Sequence, residues 1–259
     1  MIVNEGTPAY VVQHATADTE LEIRFGTIVN GRFVSAIEET KWCRMVDGLN
    51  SYTEWKRIDE PHQRHDFFIR DEVVLTGGNL RLSHEYREDT TSEADVRLIR
   101  KDRIARCDIH VPYSNDEQKQ AIRIDLSREV TQQPPSGNSS FSAARLPSHA
   151  PPVQVLPPVH VRVKQTVRWA TKSGWRFDAS RVWSGKTLES CLFALNNGVE
   201  PRYELELELE DTSYLERHSV EYVIQSALLK VRDLCNCADY APDNKSTPSS
   251  GNENGVSTH

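Results

Sequence analysis

The chain has 259 residues, of which 37% are hydrophobic and 27% charged, and its formal net charge is −7. This composition is that of a polar globular protein with one sizeable core, and its acidic balance excludes capture of nucleic acid by overall charge, so any polyanion site must be a local concentration of lysine and arginine. The N-terminus lacks a basic region followed by an apolar run, and no stretch approaches the ~20 apolar residues of a membrane span, so neither a signal peptide nor a membrane partner is expected.

The N-terminal half predicts a strand, a helix and then a series of hairpin strands. A short strand at residues 10–13 is followed by a longer one at residues 20–29, which ends at an Asn-Gly turn. Residues 35–49 predict a helix with Ser35 as N-cap and Glu38 at the capping-box spacing. Apolar and charged residues then alternate in five further strands, at residues 65–75, 80–86, 95–101, 104–113 and 118–130.

The C-terminal half contains a change of composition. Residues 131–158 are rich in Pro, Ser, Gln and Asn, and they predict a loop insertion within one domain of residues 1–236, because strand-like sequence resumes after them. Strands at residues 159–171, 175–183 and 203–210 precede a helix at residues 213–234. The polar composition of residues 237–259 predicts a disordered tail.

Two acidic strands form the main functional signal. Residues 203–210 alternate acid and leucine, which places Glu204, Glu206 and Glu208 in a row on one face. Residues 20–26 repeat the pattern with Glu20 and Glu22. Side by side in an antiparallel sheet, the two strands would form a cluster of mutually repelling carboxylates. Carboxylate oxygens are the ligands that Mg²⁺ and Mn²⁺ prefer, so a divalent cation would satisfy such a cluster.

Basic residues occupy faces of other strands. They are Arg81, Lys101, Arg123, Arg162, Lys164, Arg168 and Arg176. Taken singly, each is as compatible with a solvated outer face as with a binding site. The segregation of acids and bases onto different strands favours a mainly β fold, a closed antiparallel barrel with a polar lumen. Such a lumen would bind a metal on one wall and polyphosphate on the others.

These motifs resemble those of the fungal and protozoan type of metal-dependent mRNA-capping RNA 5′-triphosphatase, within the triphosphate tunnel metalloenzymes. The first is Glu20-Leu-Glu-Ile-Arg-Phe-Gly-Thr27 and the last is Tyr203-Glu-Leu-Glu-Leu-Glu-Leu209. Between them lie Leu80-Arg-Leu-Ser83, Lys101-Asp-Arg-Ile104 and Arg176-Phe-Asp-Ala-Ser180, in the family's order. The resemblance implies an eight-stranded closed antiparallel barrel with a few flanking helices, one of them C-terminal. It also implies removal of the γ-phosphate of triphosphate-ended RNA as the first step of mRNA cap formation.

The resemblance also assigns roles to individual residues. Glu20, Glu22 and Glu208 would ligate Mg²⁺ or Mn²⁺, with Glu204 and Glu206 on the same floor. The triphosphate would be bound by Arg81, Lys101, Arg123, Lys164, Arg168 and Arg176. Glu129 would orient or deprotonate the attacking water, and Asp178 would support the neighbouring basic side chains. The remaining candidates for the substrate-binding surface are Arg24, Arg162, Ser180 and Asp66.

Two positions depart from the family pattern. The basic strand usually carries Arg or Lys at three alternate positions, but Thr166 interrupts the series from Lys164 to Arg168. A shifted register with Arg162 in that role stays open. Ser180 stands where threonine is commoner, which keeps the hydroxyl group.

Three other functions are open to this sequence. The first is a tunnel hydrolase of inorganic or thiamine triphosphate, or a related cyclase; many of these carry lysine where this chain has Arg24, which favours the RNA enzyme. The second is a non-catalytic module that binds polyphosphate or RNA ends, and the third is a sheet protein with charged outer faces. The capping role implies triphosphate-ended RNA, NTPs and a guanylyltransferase as partners, and a nuclear location.

Overall fold

The computed structural model describes residues 7–70, 79–87, 95–111, 120–132 and 160–239. Its elements, in chain order, are α1 (Pro8–Gln13), β1 (Glu20–Val29), β2 (Arg32–Val34), α2 (Glu39–Ser51), β3 (Trp55–Arg70), β4 (Asn79–Arg87), β5 (Asp95–His110), β6 (Gln120–Gln132), β7 (His160–Thr171), β8 (Trp175–Gly185), α3 (Leu188–Asn196), β9 (Arg202–Leu209), α4 (Ser213–Arg217) and α5 (Val220–Asp239).

Eight of the strands in these ranges close into an antiparallel barrel. Their order is β1-β6-β5-β4-β3-β7-β8-β9, and β9 pairs back onto β1. The ninth strand, β2, pairs only with the end of β1, where Val34 lies opposite Thr27. The predicted mainly β, closed, eight-stranded antiparallel barrel with flanking helices is therefore confirmed.

The barrel carries its apolar core on the outside. Leu205, Leu207 and Leu209 of β9 are at most 3% exposed, and they belong to one hydrophobic cluster with residues of β1, β6, β8 and the helices. Helix α5 contributes its buried face, which includes Val223 and Val231, to the same cluster. Because successive strand residues point to opposite faces, burying the leucines under helices turns the alternating glutamates toward the lumen.

A smaller apolar cluster lies between α3 and the strands β3, β7 and β8. It joins Phe67 of β3, Val163 of β7 and Trp183 of β8 to Cys191 of α3. The sequence analysis missed α3, although Thr187 and Ser190 form a capping box at its start. The helix shields β7 and β8, two of the strands that present basic residues to the lumen.

Several local predictions were wrong. Residues 10–13 lie in α1, not in a strand, because Thr7 caps the helix and Pro8 suits its first turn. Helix α2 begins at Glu39 with Glu38 as N-cap, so Ser35 is not its cap. The predicted helix at residues 213–234 is two helices, α4 and α5, separated near Ser219.

The predicted domain limits fall mostly outside the described ranges. Of the loop insertion at residues 131–158, the first two residues belong to β6 and the others are not described. Helix α5 continues to Asp239, three residues into the stretch assigned to the tail, and residues 240–259 are not described. Within the described part of the chain, no helix is long and apolar enough to cross a membrane.

Candidate active site

The two acidic strands meet where the barrel closes. Glu22 of β1 lies opposite Glu208 of β9, and Arg24 lies opposite Glu206. Together with Glu20, these side chains line a cavity of about 640 Å³ in the lumen. The expected juxtaposition of the first and last motifs is therefore present, and it results directly from the β1–β9 register.

Glu20, Glu22, Glu206 and Glu208 form an acidic wall of the cavity, and their charges contribute to the raised pKa values of Glu22 and Glu208. Burial raises the pKa of Glu22, and the charge of Glu206 raises it further. Burial also raises the pKa of Glu208 to about 8, to which the charges of Glu20 and Glu22 contribute against the opposing effect of Arg176. For Glu206 the effect of burial is outweighed by Lys164 and Arg24, so its pKa is lowered. The wall is thus a place where added positive charge is stabilising.

Lys101 lies against this wall. Its Nζ is 2.5 Å from Glu20 Oε2, 3.3 Å from Glu22 Oε2 and 3.7 Å from Glu129 Oε1. Ser127 of β6 donates a hydrogen bond of 3.3 Å to Glu20 from the neighbouring strand. These carboxylates therefore converge on one point, and the lysine ammonium supplies positive charge there.

The ligand atoms on this acidic wall suit a hard divalent cation. Glu20, Glu22, Glu206 and Glu208 offer only carboxylate oxygens. Burial, together with repulsion from neighbouring carboxylates, raises the pKa values of Glu22 and Glu208, and a divalent cation would stabilise their charged forms. With the side chains in this arrangement, no group of three or more His, Cys, Asp or Glu residues in the described part of the chain has the geometry of a metal site. A cation would therefore need the glutamate rotamers to close around it, away from Lys101 and Arg176.

A basic wall adjoins the acidic one, because β8 pairs directly with β9. On β7, Lys164 Nζ lies 3.3 Å from Glu206 Oε2, and Arg168 Nε lies 3.5 Å from Asp178 Oδ2. On β8, Arg176 donates to Asp178 at 2.7 Å and to Glu208 at 2.5 Å. All of these basic side chains line the cavity, as do Arg81 and Arg162. Asp178 thus contacts its basic neighbours in the way that the resemblance implied.

Glu129 lies on β6, 3.7 Å from the Lys101 ammonium that also contacts Glu20 and Glu22. Its Oε1 accepts a hydrogen bond of 3.0 Å from Arg81 Nη2, and its side chain is 28% exposed. It lines the same cavity as the basic side chains. A carboxylate held by an arginine at the cavity surface is in a position to accept a proton from water.

Three of the expected site residues lie behind the lumen surface and are not among the cavity-lining side chains. Asp66 is fully buried and accepts a hydrogen bond of 2.8 Å from Ser83, and Arg64 and Arg81 lower its pKa against the effect of burial. Ser180 is fully buried and shares a hydrogen bond of 2.9 Å with Thr166. Glu204 is paired with Arg162, Arg202 and Lys164. Through these contacts Asp66, Ser180 and Glu204 hold residues of the basic strands in place.

Arg123 is also not among the cavity-lining residues. It donates to both oxygens of Asp108, at 2.6 and 2.8 Å, and its guanidinium lies over the Phe33 ring. On β7, Thr166 lies opposite Ser180, and Arg168 lies opposite Asp178. Arg162 and Arg168 both reach the lumen, on either side of the Lys164 and Thr166 positions.

The structure adds lining residues that the sequence analysis did not identify. They include Arg64, Arg97, Arg103, Arg106, Asp125 and Ser127. Asp125 and Ser127 could have been found, because they alternate with Arg123 and Glu129 along one strand. Arg106 could not be found by alternation, since a bulge in β5 changes the face on which it lies.

Comparison with known proteins points to one fold. No protein-family model matches the chain, and no curated protein sequence does. The chain superposes on the RNA triphosphatase Pct1 of S. pombe in complex with the Spt5 CTD, with a TM-score of 0.56, 17% identity and coverage of 91% of each chain. Pct1 alone gives a TM-score of 0.56 with 16% identity, over 91% of this chain and 90% of that chain. The Mimivirus capping enzyme triphosphatase gives 0.50 with 14% identity, over 88% of this chain and 94% of that chain. The chain has the tunnel fold of these RNA triphosphatases.

Proposed function

We propose that this protein is a metal-dependent RNA 5′-triphosphatase, which hydrolyses the γ-phosphate from triphosphate-ended RNA and so prepares the end for capping. The observation that carries the proposal is the lumen itself. A closed barrel places four glutamates on β1 and β9, and arginines and lysines on other strands, around a single cavity of about 640 Å³. Such a surface matches a polyphosphate that carries a divalent cation.

The glutamates would hold the cation. Glu20, Glu22 and Glu208 are the proposed Mg²⁺ or Mn²⁺ ligands, and Glu206 lies beside them. A divalent cation bound there supplies charge stabilisation for the γ-phosphate oxygens. Glu204 is left out of this set, because its carboxylate is already paired with three basic side chains.

The basic wall would position the triphosphate. Arg81, Lys164, Arg168 and Arg176 line the cavity and offer guanidinium and ammonium donors to the phosphate oxygens. Their present carboxylate partners hold them in place and would share them with the substrate. Stabilising the charge that spreads over the transferred phosphoryl group is the main task of an enzyme for this reaction.

Glu129 would orient the attacking water and take its proton. It lies on β6 and not on the two strands that carry the proposed metal ligands, and Arg81 Nη2 donates to its carboxylate at 3.0 Å. A phosphate oxygen bound by Arg81 would thereby be brought close to the base. The products are phosphate and diphosphate-ended RNA, the substrate for guanylyl transfer. The guanylyltransferase partner and the nuclear location follow from this role.

The test is phosphate release from γ-labelled triphosphate-ended RNA in Mg²⁺, in Mn²⁺ and in EDTA, beside ATP, tripolyphosphate and thiamine triphosphate. We expect metal-dependent release that is fastest from RNA. Glu20→Gln and Glu208→Gln should each lower kcat by roughly 100-fold or more, because even residues behind metal ligands contribute 10- to 100-fold.

The control is Glu189→Gln, which makes the same chemical change on the exposed surface of α3. Circular dichroism of each variant confirms folding. Faster cleavage of a small polyphosphate than of RNA would move the function to the other tunnel hydrolases. A folded protein that cleaves none of the four substrates would refute catalysis and leave a binding module.

A further inference from the structure

A cluster of arginines lies beyond the triphosphate-binding residues, and the proposed function gives it no role. The arginine cluster consists of Arg24 of β1, Arg103 and Arg106 of β5 and Arg123 of β6. Asp125, with a side chain 5% exposed, contacts three of them: it accepts from Arg24, it bonds Arg106 Nε at 2.5 Å, and it lies 4.0 Å from Arg103 Nε. The fourth, Arg123, is held by Asp108.

The cluster depends on a β-bulge. Along β5, Lys101 lies opposite Glu129 and Arg103 lies opposite Ser127, both facing the lumen. The register then shifts, so that Ala105 lies opposite Leu126 and Arg106 lies opposite Asp125. Regular alternation would have turned Arg106 to the outside of the barrel. The bulge at Ile104 instead adds a second arginine to the lumen face, and bulges are a common means of re-aiming a side chain at a functional site.

The cluster has an excess of positive charge. Its four guanidinium groups share the carboxylates of Asp125 and Asp108, and Arg24 also borders Glu22 at the edge of the cluster. Burial and the neighbouring arginines lower the pKa of Arg106 to about 10, so the positive charges repel one another. Burying cations against one another is unfavourable unless an anion joins them. The cluster is therefore built to be completed by an anionic ligand.

Its position shows where that ligand lies relative to the triphosphate. Arg24 Nε is 3.4 Å from Glu22 Oε1, so the cluster adjoins the proposed metal site. Lys101, Arg103 and Arg106 then follow one another along β5, with same-face neighbours roughly 6.6–6.8 Å apart on a regular strand. Exposure of the side chain is 27% at Arg106 and 60% at Arg103. The line of positive charge therefore starts at the proposed metal site and is most exposed to solvent at Arg103.

We propose that Arg103 and Arg106 bind the phosphodiester backbone of the RNA that follows the triphosphate, and that this contact makes the enzyme prefer RNA ends to free nucleotides. The proposal rests on the proposed function and adds a specificity determinant to it. Guanidinium groups bind phosphate oxygens bidentately and without regard to base sequence. A free nucleoside triphosphate has no phosphodiester to meet these two residues, whereas a transcript has one for every further nucleotide.

The experiment compares Arg103→Gln/Arg106→Gln with the wild-type protein and with Arg100→Gln/Arg128→Gln. The control pair removes two charges of the same kind from β5 and β6, at residues paired with Asp102 and Asp18 and not among the cavity-lining residues. The substrates are ATP, tripolyphosphate and triphosphate-ended RNAs of roughly three and ten nucleotides, because the number of neutralised phosphates sets the salt dependence.

We expect the double substitution Arg103→Gln/Arg106→Gln, the lumen pair, to raise KM for the longer RNA by about tenfold at low salt, with kcat unchanged. The slope of log KM against log salt should fall by about 1.4, from ~0.7 for each lost contact to a single strand. Hydrolysis of ATP and tripolyphosphate should stay at the wild-type level. Equal loss on tripolyphosphate and RNA would overturn the proposal, because the arginines would then bind the triphosphate itself. An unchanged KM for RNA would also overturn it, and would point to an acidic partner protein as the ligand.

Anisotropy of a labelled RNA in EDTA measures the same contact without turnover. We expect weaker binding by the lumen pair than by the control pair, whether or not the protein hydrolyses RNA. A wild-type protein that binds RNA but releases no phosphate would refute the proposed function and keep this inference. The single variant Arg103→Gln, at the more exposed position, replaces the double variant if the latter does not fold, and should give about half of the change in slope.

Discussion

Replacing Lys101 by methionine removes an ammonium group that lies within 4 Å of three carboxylates, those of Glu20, Glu22 and Glu129. Methionine preserves most of the volume of the lysine stem, so the change is mainly one of charge. In metal-free protein the carboxylates then face one another without that positive charge. We expect the free energy of unfolding to fall, and we expect divalent cations to restore it.

The magnitude follows from burial. Removing one partner of a buried ion pair costs about 3–5 kcal/mol, because the remaining charge stays desolvated. The Lys101 side chain is 32% exposed and the Glu22 side chain only 10%, so solvent screening brings the cost to just below that range, and we expect a loss of about 2–3 kcal/mol. For a chain of this size, ~2–4 °C of melting temperature corresponds to each kcal/mol, which predicts a decrease of roughly 4–12 °C in EDTA.

The assay is chemical and thermal denaturation of both proteins in EDTA and in millimolar Mg²⁺ or Mn²⁺. A cation at about 100 times its Kd stabilises the folded state by ~2.7 kcal/mol, so it should recover most of the loss in the variant. The control is Lys186→Met, which removes an exposed lysine. Failure of Mg²⁺ and Mn²⁺ to stabilise the Lys101 variant, or no loss in EDTA, would refute the idea that these glutamates form a cation site.

Three further predictions concern stability. Leu207→Ala should lower the free energy of unfolding, measured by urea titration, by about 3 kcal/mol, because the Leu207 side chain is fully buried. The control Leu229→Ala should change it by less than ~0.5 kcal/mol, because Leu229 is 48% exposed. Gly26→Ala should be more damaging than an average surface change, because its Cβ would lie 2.1 Å from the Val34 carbonyl oxygen; a melting temperature equal to that of the wild type would contradict this close approach. Burial lowers the pKa values of His65 and His84 below 6.5, so the unfolded chain binds protons more readily than the folded chain. The free energy of unfolding should therefore fall as the pH drops through 6.5. His84→Leu should weaken this pH dependence, which is measured by denaturation on both sides of pH 6.5.

The acidic wall was readable from the sequence because its signal is local. Alternation fixed which face of β1 carries Glu20 and Glu22, and which face of β9 carries Glu206 and Glu208. Only the pairing of the two strands had to be assumed, and the register confirms it. The resemblance of the intervening motifs then implied the order of the basic strands along the chain. Closed barrels leave few other arrangements for such strands.

The features of the site that the sequence did not predict depend on tertiary geometry. Arg106 was out of reach because the strand was divided near Lys101 and Ile104, where the structure has one continuous strand with a bulge. A bulge has no fixed sequence signature, since its effect is on the partner strand's register. For Glu204 and Arg123, alternation identified the face correctly but not the salt bridges to Arg162 and Asp108, which lie on other strands.

The β1–β9 junction has a further consequence for how the barrel opens. Three residue pairs join these strands, Glu22 with Glu208, Ile23 with Leu207 and Arg24 with Glu206, against eight pairs between β1 and β6. A short ladder breaks more readily than a long one, and its outer pairs bring carboxylates to the junction. A cation bound by both Glu22 and Glu208 would link β1 to β9 across this short ladder and so stabilise the closed barrel. Among residues 22–24, backbone amides that bond to β9 should then exchange with solvent faster than amides that bond β1 to β6, and their exchange should slow most when the cation binds.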